Sequence, residues 1–143
     1  MGRNVIVDDQ SLRYIQTVSV GPHAFHADEP VEAGGNDEGP DPFELLLASL
    51  GTCVSITARM YADRKGWPLE RVHVELSWAK FFDDDDPEGD LKSAFVEGIE
   101  MEISFAGDLS GEQRRRLTEI ANRCPIHRTI SAPIPVRTKL QET

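Results

Sequence analysis

Two cysteines and one histidine carry most of the chemistry this chain could do. Cys53 sits inside LGTCVSITARM, residues 50 to 60, a run of small and apolar side chains. Cys124 opens CPIH, in which His127 stands three positions on. Free cysteine is usually a buried, inert, small hydrophobe, so packing alone accounts for either residue. Three other readings use the sulfurs. They could form a redox pair, although spacing along the chain does not give the geometry a bridge needs. They could join His127 in a metal site, but zinc sites normally offer two close ligand pairs and only one is present. Or a cysteine could act as a nucleophile with His127 as base, giving a thiol hydrolase.

The elements that would position these residues follow from pattern. SLRYIQTVSV, 11 to 20, is rich in β-branched and aromatic types and predicts a strand. HAFHA, 23 to 27, predicts a short partner joined through Gly21 and Pro22. DEPVEAGGNDEGPDP, 28 to 42, has turn formers and no period, a length often functional or mobile. A helix then starts sharply. Asp41 suits the cap, Pro42 the first position and Glu44 the third, and Gly66 can close the helix after Lys65. From Phe43 to Ala58 its apolar residues go most of the way round, the mark of a helix covered on every side.

RVHVELSW, 71 to 78, alternates Val72, Val74, Leu76 and Trp78 with polar residues, and EGIEMEISF, 97 to 105, sets Ile99, Met101, Ile103 and Phe105 on one face. Between them DDDD, 83 to 86, with Pro87, Glu88 and Gly89, reads as a solvated turn, since the ligand spacing of a calcium loop is absent. Ser110 and Gln113 have capping-box spacing for a second helix with Leu117, Ile120, Ala121 and Cys124 as its inner stripe; Pro125 should end it. IPVRTKL, 134 to 140, alternates as a last strand. The order predicts one α+β domain over residues 1–143 with largely antiparallel pairing. One 143-residue chain can wrap only part of so apolar a helix, and a second copy is the simplest cover.

Composition narrows the partners. With 25 acidic against 15 basic side chains, the formal charge is −10, which repels nucleic acid and anionic lipid. No basic and apolar leader is evident, and no apolar run is expected to reach the ~18 residues of a membrane span, so a cytoplasmic setting with reduced thiols is expected.

GPDPFELLLASLGTC (39 to 53), MYADRKGWPLERVHVE (60 to 75) and GDLSGEQRRRLTEIANRCPIHRTI (107 to 130) resemble the OsmC/Ohr family of thiol-dependent peroxide reductases. The likeness runs from about residue 11 to residue 140, and the ADEP loop (27 to 30) and the glycine pair 34–35 resemble the OsmC-like branch. The resemblance implies antiparallel sheets around long central helices in an intertwined homodimer with active sites at its interface. It implies that Cys53 attacks an organic hydroperoxide, that Cys124 closes a disulfide onto it, and that a dithiol, lipoyl-type in the better-known branch, reopens the bridge. No bound metal, haem or flavin is required. A thiolate in an apolar pocket needs a cation, and the family uses an arginine from the N-terminal strand region oriented by a glutamate. The resemblance matches Arg13 to the former and Glu44 to the latter, with Arg123 and Arg128, close to Cys124, as substitutes for Arg13. Nine positions at about 100° put Glu44 and Cys53 on opposite sides of one helix, about 13 Å apart along its axis, so a catalytic Glu44 would come from the partner. Leu46, Leu50, Ile56 and Met60 would suit an apolar peroxide, or simply fill the core. A non-enzymatic small-molecule binder of the same fold is the alternative.

Overall fold

The computed structural model describes residues 2–82 and 95–141. The acidic turn at 83–86 lies outside them. The chain forms two compact units, residues 1–48 and 49–143.

The N-terminal unit is an antiparallel sheet in the order β1 (Ile6–Asp9), β2 (Gln16–Val20), β3 (His23–Ala27). Val18 pairs with both Val7 and Phe25, and is itself buried. The strand read from residue 11 starts only at Gln16. Ser11 and Arg13 both hold φ of 57°, a left-handed backbone that no β-strand continues. Arg13 therefore sits in the turn before β2, not in a strand. β1 was not anticipated: four residues with every side chain exposed give no burial pattern to read.

The loop after β3 is tied down, not loose. Asp28 N–H donates to the Pro40 carbonyl at 3.2 Å, and a 3₁₀ turn covers Val31–Ala33. Helix α1, Pro42–Lys65, starts with a reciprocal cap. Glu44 N–H donates to Asp41 Oδ1 at 2.8 Å and Asp41 N–H to Glu44 Oε1 at 2.8 Å. It ends as expected at Gly66, φ 70°, where Trp67 N–H reaches back to the Ala62 carbonyl.

The C-terminal unit contains most of α1 and the hairpin of β4 (Leu69–Phe82) and β5 (Phe95–Gly107). The register pairs Val72 with Phe105, Val74 with Ile103 and Leu76 with Met101, so both predicted inner faces coincide, although Trp78 is exposed. On that face lie Leu50, Val54, Ala58 and Ala62 of α1, one stripe at helical spacing. Burying residues of this kind stabilises by roughly 1.5–3 kcal/mol for each large side chain. Gly51 lets α1 come close: a Cβ there would stand 2.7 Å from Leu76 Cδ1. The remaining faces of α1 are not covered by the described residues, and Ile56 and Met60 are 58% and 62% exposed. By length and composition α1 also reaches what a membrane span requires, which corrects the reading that no apolar run does; only Glu44 and Arg59 interrupt residues 43–60.

Helix α2, Gly111–Ala121, carries the complete Ser110–Gln113 capping box and buries Leu117 and Ala121. Its first half bears three arginines. Arg114 is used structurally, donating to the Phe105 and Gly107 carbonyls. A short helix α3, Pro125–Ile130, follows. Pro125 was read only as a terminator; it also suits a first helical position, and does so here. The strand predicted over 134–140 is absent. Residues 133–141 have no regular structure, and Ile134, Val136 and Leu140 are 54%, 84% and 92% exposed. Alternation marks a two-faced segment, but a strand needs a neighbour to bond.

Candidate functional site

The sulfurs of Cys53 and Cys124 meet in the C-terminal unit. Cys53 is brought there by α1, half-buried beside the core stripe of Leu50 and Val54. Cys124 is brought there by the three-residue step between α2 and α3. Its φ and ψ of −63° and 151° are extended, the geometry Pro125 imposes on the residue before it. It is 0% exposed. Both are free thiols packed in one core cluster, and Cys53 stands near enough to act on the Cys124 thiol.

Cys124 also caps α3. Its sulfur accepts the His127 backbone N–H at 3.3 Å. Burial pushes the Cys124 thiol above its ordinary value of 9.0. The His127 N–H pulls it back, neighbouring Cys53 raises it further, and the Ile126 N–H lowers it. None of these groups is a cation. His127 meets Cys124 through its backbone, while its ring Nδ1 lies 3.4 Å from the Ser131 hydroxyl. Among the described residues no group of three or more His, Cys, Asp or Glu could hold a metal ion.

Arg13 and Glu44 belong to the N-terminal unit. Arg13 Nε donates to the Gly34 carbonyl, and the guanidinium acts electrostatically on Asp28. Glu44 is engaged by the α1 cap. Arg123 and Arg128 are exposed. Of the four apolar positions suggested as pocket walls, Leu50 is core, while Leu46, Ile56 and Met60 are exposed.

The sequence reading missed Asp28. It is 3% exposed and receives three backbone N–H groups: Glu29 on Oδ1 at 2.7 Å, and Asn36 and Glu38 on Oδ2 at 3.1 Å each. Burial raises its pKa, but these donors and Arg13 outweigh that and hold the carboxyl below 3.8. With Arg13, Tyr14, Gln16 and Pro42 it lines a cleft of about 530 Å³. Gly35 must lack a side chain here, because a Cβ would stand 2.0 Å from the Glu29 carbonyl oxygen. An aspartate followed within ten residues by a glycine pair was the available signal.

A second cleft, about 610 Å³, lies in the C-terminal unit around Tyr61, Lys65, Trp67, Arg115 and Arg116. Arg116 Nε donates to the Tyr61 hydroxyl at 3.2 Å. That bond, against burial and with the charges of Arg116, Lys65 and Arg64, holds the phenol below 10.0. The same bond and Glu119, 3.0 Å away, raise Arg116.

The family model for OsmC-like protein matches residues 34–139, well over half of the chain. No curated protein matches it. Among solved structures, an organic hydroperoxide resistance protein OsmC of Legionella pneumophila is similar with a TM-score of 0.62 at 21% identity, covering 89% of this chain and 88% of that one. An OsmC-like protein of Mycoplasma pneumoniae gives 0.65 at 17%, covering 90% and 85%. The organic hydroperoxide resistance protein OhrB of Bacillus subtilis gives 0.59 at 18%, covering 90% and 89%. At these identities the likeness speaks for the fold, an α+β arrangement of antiparallel sheets and helices, and the family model for the membership: this chain belongs to the OsmC-like family.

Proposed function

We propose that the protein is a thiol-dependent peroxidase that reduces organic hydroperoxides to alcohols. The observation that carries this reading is that Cys53 and Cys124, from distant parts of the chain, pack into one core with Cys53 near enough to act on the Cys124 thiol. The Cys53 thiolate attacks the terminal oxygen of the O–O bond. The alcohol leaves, after taking a proton, and Cys53 becomes a sulfenic acid. The Cys124 sulfur then attacks the Cys53 sulfur, water leaves, and a disulfide remains. A dithiol of lipoyl type reduces the bridge and becomes a disulfide itself. Family membership and neighbours named for organic hydroperoxide resistance support the substrate class.

The working form in this proposal is a cytoplasmic homodimer that binds neither nucleic acid nor membrane. The apolar faces of α1 that this chain leaves uncovered at Ile56 and Met60 support the second copy. Arg13 as activating cation and Glu44 as its orienting carboxylate enter on the family resemblance alone. The test is turnover of an alkyl hydroperoxide with a dithiol reductant. Cys53→Ser should abolish it, by a factor of at least about 10³. Unchanged turnover would overturn the assignment.

A second reading, a small-molecule binder with inert cysteines, draws on one observation: burial raises the Cys124 thiol and no cation is among the groups acting on it. Thiols that stay unoxidised in excess hydroperoxide would favour it.

A further inference from the structure

We propose that the reductant opens the Cys53–Cys124 bridge by attacking the sulfur of Cys53, so that the mixed disulfide forms on α1 and Cys124 is the leaving group. The inference rests on the two-cysteine reading above and adds which sulfur is struck.

Access decides first. Cys124 is 0% exposed, packed with Leu117 and Ala121 of its own unit. Cys53 is only half-buried. Adding a second copy of the chain can remove exposure but cannot create it, so assembly does not uncover Cys124. A thiolate that struck Cys124 would need the α2–α3 step to unfold. Attack at Cys53 needs only that the second copy leave a path to one side of α1.

The departing side is prepared as well. As the S–S bond breaks, its electron pair goes to the Cys124 sulfur, which already accepts the His127 N–H at 3.3 Å. Hydrogen bonding of that kind favours the thiolate as it forms. Burial then favours its protonation, because it raises the Cys124 thiol. A neutral thiol still condenses with a sulfenic acid, but it returns to the less electrophilic mixed disulfide slowly, which leaves time for the reductant's second thiol. The second thiol of the reductant attacks the reductant's own sulfur in the mixed bond. It closes a cyclic disulfide and releases Cys53. The two protons of the dithiol end on Cys124 and Cys53. A monothiol lacks the closing step and should stall as an adduct on Cys53.

The experiment uses the full chain with both cysteines present. Diamide, which oxidises thiols without peroxidase chemistry, makes the bridge. A brief pulse of 2-mercaptoethanol is quenched in acid. The chain is then unfolded, the free thiols are capped with N-ethylmaleimide, and the peptides are weighed. The expected result is mercaptoethanol on Cys53 in at least roughly tenfold excess over Cys124, with maleimide on Cys124. Equal labelling, excess on Cys124, or failure of diamide to form the bridge overturns the inference. Bridging by diamide with the adduct on Cys53, but none by hydroperoxide, supports the site of attack and removes the peroxidase reading alone.

Discussion

Asp28 and Cys124 are both buried and both ionisable, yet the fold drives them in opposite directions. Asp28 is held below its ordinary pKa and Cys124 is raised above its own. Burial opposes the charged form at both sites. The difference lies in what each acid meets. Asp28 collects three backbone N–H groups, with Arg13 adding its charge. Cys124 meets the His127 and Ile126 N–H groups and a second sulfur that works against ionisation. One site stores a charge to organise a loop. The other keeps a thiol neutral beside its partner. Depth alone therefore predicts neither; the count of donors does.

The largest effect should come from removing the anion. Asp28→Ala leaves three N–H donors without their acceptor and should lower Tm by on the order of 10 °C in a thermal melt, while Asp28→Asn, which keeps one acceptor oxygen, should lower it less. The sign with pH follows from the depressed folded value. Stability from Asp28 is present above the unfolded carboxylate's pKa and is lost as pH falls through the lower folded one. Wild type should therefore shed stability below about pH 4 more steeply than the alanine variant. An equal acid slope in both would break the comparison.

Cys124 should behave as the mirror image. Its folded pKa is raised, so its contribution is whole below 9.0 and declines as pH rises through the folded value. Cys124→Ser keeps a capping acceptor but removes this titration. Its melting curve should be flatter than wild type above pH 9, and maleimide should label Cys124 in the folded wild type far more slowly than Cys53. Rapid labelling of Cys124 near neutral pH would contradict the burial that the comparison rests on. The smallest effect calibrates the cap itself. Ser110→Ala removes the hydroxyl that accepts Gln113 N–H at 3.0 Å and should cost about 1 kcal/mol in urea unfolding.

Much of this arrangement is legible in the chain because it follows from period and capping. The two-residue alternation of 71–78 and 97–105 became the inner face of the hairpin, and Asp41, Glu44, Ser110 and Gln113 became caps at the positions their spacing names. The meeting of Cys53 and Cys124 followed from both residues lying on core-facing sides. What stayed hidden depends on backbone states or on neighbours. Composition around Arg13 looks β-like, yet a φ of 57° there turns the chain instead. α3 was lost because six residues show no period and Pro125 both ends and begins helices. The alternation of 134–140 was real, but among the described residues no strand pairs with it. Asp28 was hidden because its partners are main-chain groups, which side-chain identity does not announce.

Gly51 has an effect out of proportion to its size. It lies two positions before the proposed nucleophile, at the point where α1 rests on Leu76. Adding one methyl there would force the leucine aside or lift the rod from the sheet, and with it the sulfur carried on the next half-turn. A single absent carbon thus sets how closely the rod can lie on the sheet at this point.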